Sequence, residues 1–200
     1  MTAVQPLDPT PNGVAAVRAV LGASFADDPM MQWIFRDVAA QPHAIAAWIG
    51  LFVEALAAAG TVDVILDDGD IVAAAMWRTD GTPMPFSEWP SVGGLMTAVL
   101  GPERTAQVGA GLGEFAAHKP DPPYHYLMFL GVRPSHQGRG LGRLLVTAGQ
   151  QRAAAQGQAV YLESTNTRNL PFYASCGFQT LSEFTLPPDG PPAFRQWWAP

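Results

Sequence analysis

Three things are scarce in this chain: cysteine, charge and long apolar runs. Cys176 is the only cysteine among 200 residues, so an internal disulfide is excluded and a reducing compartment is expected. Charged residues make up 14% of the chain, and acids outnumber bases 17 to 11, for a net charge of −6. That balance argues against a basic nucleic-acid-binding surface. No apolar run reaches the ~20 residues needed to cross a bilayer. Residues 1–12 are proline-rich and polar and lack the basic-then-apolar order of a signal peptide. The expectation is a cytoplasmic protein with no membrane and no nucleic-acid partner. What is abundant is apolar side chain, 48% of the whole, enough to fill one domain spanning residues 1–200.

The chain is organised around one stretch. Tyr124 to Val132 is almost wholly apolar or aromatic, which predicts a strand covered on both faces. Pro134 cannot donate to a sheet ladder and ends it. Gly138, Gly140 and Gly142 then alternate before an apolar-periodic helix over 142–156. Strand, glycine turn and helix start together predict an anion cradle, because glycines admit close approach and the first helical N–H groups are unpaired. Three phosphate loops compete. A Walker loop fails, since Arg143 and Leu144 follow Gly142 where Lys-Ser/Thr is required. A dinucleotide fingerprint fits Gly138 and Gly140, and Glu163 downstream, but Arg143 stands at its third glycine. The pattern Gln/Arg-x-x-Gly-x-Gly/Ala is met in full by Gln137-Gly-Arg-Gly-Leu-Gly142.

That hexapeptide, the strand ending Leu130-Gly-Val-Arg-Pro134 and the later block Asn169-Leu-Pro-Phe-Tyr-Ala-Ser-Cys-Gly-Phe178 resemble the GCN5-related N-acetyltransferase (GNAT) superfamily. Phe25-Ala-Asp-Asp-Pro29, His136-Gln-Gly138 and Arg168-Asn-Leu-Pro-Phe-Tyr173 look more narrowly like its puromycin N-acetyltransferase-like subgroup. The resemblance implies a mixed α/β fold with a mostly antiparallel sheet, splayed central strands and flanking helices. It implies acetyl-CoA as co-substrate, no metal, and a small-molecule amine as partner, a substrate that the acidic balance also suits. A homodimer is compatible.

The remaining pattern is consistent with that fold. A short strand is expected at 4–7, and helices at 14–25, 33–37 and 42–59, the last carrying a helical stripe of Ile45, Trp48, Ile49, Phe52, Val53 and Leu56. Strands at 61–66 and 71–77 flank Asp67-Asp-Gly-Asp70, a hairpin signal. Residues 79–121 form an insertion: a loop over 81–90, then helices at 91–100 and 102–118. It reads equally as an acceptor wall or lid and as a structural cover. A strand at 159–163, a helix capped by Asn169 and strands at 178–186 and 193–199 complete the order.

Site residues follow from the resemblance. The loop amides of Gln137, Gly138, Arg139, Gly140, Leu141, Gly142 and Arg143 would grip the diphosphate. Backbone of Leu130 and Val132, with Gly131 allowing a bulge, would take the pantetheine arm and polarise the thioester. Asn166 and Asn169 are further coenzyme contacts. Tyr173 would protonate the departing sulfur, since a phenol near ~10 and a thiol near ~8.5 can exchange a proton. Glu163 is the candidate base. Asp28, Trp33 and Trp77 are candidates for the acceptor pocket, although a helix-ending turn and aromatic core are the ordinary roles for such residues. His125 reads as a satisfied core histidine and Cys176 as packing rather than a nucleophile. The alternative function is a non-catalytic acyl-CoA sensor or interaction module; a nicotinamide or flavin domain is a third option.

Overall fold

A computed structural model describes residues 3–79, 82, 91–121 and 123–200. Most of the loop expected over 81–90 lies outside them. Seven strands form one sheet in the order β1-β2-β3-β4-β5-β7-β6. They are β1 (Val4–Pro6), β2 (Val62–Asp67), β3 (Asp70–Arg78), β4 (Tyr124–Val132), β5 (Ala159–Ser164), β6 (Gln179–Thr185) and β7 (Pro192–Trp198). Only β4 and β5 run parallel; every other neighbouring pair is antiparallel. The chain doubles back at its end, so β7 lies between β5 and β6.

One face of the sheet carries α1 (Pro11–Ser24), α2 (Pro29–Ile34) and α3 (Gln41–Ala58). The pair α4 (Ser91–Leu100) and α5 (Pro102–Ala117) joins the same core. Ile45, Ile49, Val53 and Leu56, each fully buried, are the predicted helical stripe of α3. The opposite face packs against α6 (Leu141–Ala155) and α7 (Leu170–Ser175), through Leu145, Val146 and Phe178. The β2–β3 hairpin turns through Asp68 and Gly69, both at positive φ, the backbone that an Asp-Gly pair supplies for a tight hairpin.

Two expectations shift. The helix expected at 33–37 lies earlier, because Asp28 caps it and Pro29 occupies its first turn. Asp28 accepts from the amides of Met30 at 3.0 Å and Met31 at 3.3 Å, so it opens α2 rather than merely closing α1. The bulge expected at Gly131 lies instead at Met128: Met76 pairs with Phe129, while Trp77 pairs with Leu127. Gly131 stays in register opposite Ala74 and is small for another reason. A Cβ there would stand 2.2 Å from Ser24 Oγ and 2.8 Å from Leu21 Cδ2, so glycine is what lets α1 close on β4.

Candidate active site

The bulge changes which side chains share a face. Phe129 joins Met128 in the core beneath α1 and α3, while Leu130 and Val132 turn toward α6. The parallel pairing of β4 with β5 covers only Tyr124, His125 and Tyr126, and beyond Tyr126 the two strands part. Arg133 N–H bonds Val72 C=O at 2.8 Å, and Gly131 stands opposite Ala74. By the alternation of an antiparallel ladder, the amides and carbonyls of Leu130 and Val132 face away from β3, into the opened gap.

The glycine turn follows. Gly138 and Gly140 sit at φ +75° and +78°, where an L side chain would be strained. Among the described residues, none of the amides from Gly138 to Arg143 donates a hydrogen bond to the protein. The turn is braced from outside: Gln137 donates to Val132 C=O at 3.2 Å, and Arg139 to Ser135 C=O at 3.2 Å. His136 and Arg139 both approach Asp67 of the β2–β3 hairpin, at 3.3 and 3.7 Å. Arg143 donates to Ser175 C=O and Oγ, each at 2.7 Å, which fastens α6 to the end of α7. A held turn with unspent amides at a helix start has the donor set a diphosphate requires.

On the α1–α3 side lies a cavity of 590 Å³, lined by Tyr173, Glu163, Asp28 and Asn169 together with Leu130 of the parted strand. Tyr173 is buried; its ring is gripped edge-on by Phe172 and Phe178, at 5.2 and 5.7 Å between centroids. No hydrogen bond closes on its hydroxyl among the described residues. Burial pushes the phenol well above the usual tyrosine range, and the Asp28 carboxylate adds to this, so it keeps its proton. Asp28 is pushed up by burial, opposed by its two cap bonds and by Thr165 at 3.5 Å.

Glu163 lies on β5 opposite Arg195; both its carboxylate oxygens are shut from solvent, with the Tyr126 and Tyr161 phenols as hydrogen-bond donors beside them. Burial raises its pKa; the nearby phenols of Tyr126 and Tyr161, then Lys119 and Arg195, pull the other way without reversing it. A buried carboxylate raised toward neutrality is suited to taking a proton from an amine.

Other expected residues lie elsewhere. Trp77 is buried on the far face, its ring against Gly149 of α6 and beneath Arg152, because the alternation of β3 sets it with Ala73 and Ala75 on the side away from Ala74 and Met76. Trp33 is buried outside the cavity lining: its indole donates to Asp189 at 3.1 Å, and Arg104 stacks over it at 4.8 Å. A Cβ on Gly111 would come within 2.5 Å of that indole, so Trp33 anchors α5 to the β6–β7 turn instead of touching an acceptor. Asn169 opens α7 without a side-chain cap bond, contrary to the capping role expected of it, and lines the cavity. Asn166 spends its side chain on the amide of Arg168 at 3.1 Å. His125 bonds Gln156 at 3.3 Å in the core. Sequence reasoning missed Arg78, Lys119, Tyr126 and Thr165, all of which line the cavity. Helices α4 and α5 supply its apolar wall through Met96, Leu112 and Phe115.

Parted central strands, a bare glycine turn and one cavity lined by both a tyrosine and a carboxylate are the features an acyltransferase needs. The family model "Acetyltransferase (GNAT) family" matches residues 24–178, and the chain belongs to that family. A 52-residue segment is 48% identical to the mycothiol acetyltransferase of Gordonia bronchialis, covering 24% of this chain and 17% of that protein, so the chain matches under a fifth of that relative's length. The solved histone acetyltransferase HPA2 and related acetyltransferase from Corynebacterium glutamicum is 26% identical over 100% of this chain and 96% of that one, at TM-score 0.68. The polyamine N-acetyltransferase of Drosophila melanogaster, 19% identical over 100% of both chains at TM-score 0.61, shares the fold. The fold is therefore the mixed, mostly antiparallel GNAT sheet, flanked by helices and splayed at its centre. Among the described residues no helix is long and apolar enough to cross a membrane.

Proposed function

We propose that the chain is a single N-acetyltransferase domain that moves an acetyl group from acetyl-CoA to the primary amine of a small molecule, by direct attack in a ternary complex. The observation that carries this is the meeting of Tyr173, Glu163 and the parted strand β4 in one cavity. Acetyl-CoA supplies the activated thioester. The amides of Gly138 to Arg143 hold its diphosphate, and the outward N–H of Val132 bonds the thioester oxygen as charge develops there. Glu163 takes the proton from the incoming ammonium, and Tyr173 gives its proton to the departing sulfur. Asp28 adds negative potential that favours a cationic group in the cavity. The α4–α5 insertion forms the acceptor wall, which Met96, Leu112 and Phe115 make apolar. Tyr173→Phe should lower kcat by about 10²-fold or more while acetyl-CoA binding persists, as measured by thiol release and by calorimetry. Full turnover in that variant would remove Tyr173 from the chemistry. Coenzyme binding with no turnover across a broad amine panel would leave a non-catalytic acyl-CoA module.

A further inference from the structure

The cavity holds a second polar feature that acetyl transfer to a simple amine does not use. Lys119 is the only lysine in the chain. It follows α5, and its ammonium lies 4.5 Å from the centre of the Tyr126 ring. Tyr126 pairs across the sheet with Arg78, and both cations line the cavity. Arg78 donates through Nε to Thr82 C=O at 3.4 Å. Among the described residues, no hydrogen bond closes on the Lys119 ammonium or on the terminal nitrogens of Arg78. Burial pushes the Lys119 ammonium down; Glu163 opposes this and Arg78 adds to it, as neighbouring like charges do.

We propose, resting on the acetyltransferase reading of this cavity, that the acceptor is an apolar α-amino acid: its amine set at Glu163, its carboxylate held between Lys119 and Arg78, its side chain against α4 and α5. Three neighbouring features carry this. Glu163 offers one enclosed proton acceptor. The two cations flank the same tyrosine and offer charge-assisted donors to an anion a few bonds from the amine. Met96, Leu112 and Phe115 with Trp48 and Phe52 make the rest of the surface apolar. A polyamine would bring its further positive charges against Lys119 and Arg78. A plain alkylamine would leave these two half-buried cations with Glu163 as the carboxylate that offsets them, and would compete with them for it.

The test compares amines that differ only in the carboxylate. With the full chain and saturating acetyl-CoA, thiol release is measured for L-phenylalanine against 2-phenylethylamine and for L-leucine against 3-methylbutylamine. The expected kcat/KM ratio favours the amino acid by about tenfold or more. Lys119→Met and Arg78→Met collapse that ratio, and Lys119→Arg, which keeps the charge, restores it in large part. Equal or better turnover of the decarboxylated amines by the unaltered chain overturns the proposal. Calorimetry with the same pairs in the presence of coenzyme A separates this idea from the transfer reaction. Carboxylate-dependent binding that Lys119→Met removes, in a chain inert to every amine, would keep the anchor and sink the transfer chemistry. Turnover of the amines with no carboxylate preference in rate or binding would do the reverse.

Discussion

Replacing Glu163 by glutamine should weaken the enzyme and strengthen the fold at the same time. Both carboxylate oxygens are enclosed, with the Tyr126 and Tyr161 phenols beside them. Burial holds the folded-state pKa above that of the unfolded chain, so the folded form binds the proton more tightly. The stability tied to that proton is fully present below the unfolded value, about 4.3. It is lost as pH rises through the folded value. At neutral pH the ionised side chain therefore costs stability. An enclosed carboxylate whose burial outweighs its partners costs about 1–3 kcal/mol. The glutamine amide retains part of that penalty, so about 1 kcal/mol should be regained at pH 7. For a chain of 200 residues, that is a rise of about 2–4 °C in Tm. The gain should shrink steadily as the pH is lowered toward 4, since the unaltered side chain then carries its proton. Acetyl transfer should fall by about 10²–10⁴-fold, and the acid limb of its pH profile, displaced above the ordinary carboxylate range, should vanish. Scanning calorimetry across pH and thiol release measure the two arms. A glutamine variant that melts at or below the parent at neutral pH, or that turns over at the parental rate, would refute this account of Glu163.

Two further substitutions separate the coenzyme turn from the scaffold. Gly140→Ala meets no atom within 4 Å but forces a side chain to φ +78°, so it should cost about 1 kcal/mol and raise the KM for acetyl-CoA with little change in acceptor KM. Unaltered acetyl-CoA kinetics would detach the turn from coenzyme binding. Gly149→Ala places a Cβ 2.0 Å from the Trp77 indole, which is 2% exposed and cannot retreat. Overpacking of this kind costs about 1–3 kcal/mol, read as a lower Tm, and the substrate KM values should stay close to the parent because Trp77 faces away from the cavity.

What could be read in advance divides along physical lines. Local signals held: the alternating glycines before α6, the Asp-Gly turn between β2 and β3, and the apolar stripe of α3 each report a backbone need or a helical period within a few residues. Facing relations did not. Trp77 looked like a pocket residue, yet β3 alternates regularly and sets it with Ala73 and Ala75 toward α6, and which face holds the cavity is not written within the strand; the extra residue at Met128 re-phases β4 with no glycine or proline to mark it. Gly131 was visible as an unusual residue, but its partner, Ser24, lies over a hundred positions away, so its purpose could not be read locally. Trp33 and Asp189 meet across 156 positions of the chain. Lys119 carried a different kind of signal: in a chain with one lysine, where that lysine falls is informative, and it falls on the cavity.

The indole of Trp33, the Arg104 guanidinium and the Asp189 carboxylate tie α5 to the β6–β7 turn. Shortening or extending that turn would therefore tilt the apolar side of the pocket while Tyr173 stays on α7 and the glycines stay before α6; Glu163 alone of the three is coupled to the hairpin, through Arg195 opposite it on β7. Selectivity and chemistry hang from largely different supports, and changes confined to the turn itself, short of Arg195, could retune which amine enters while sparing how it reacts.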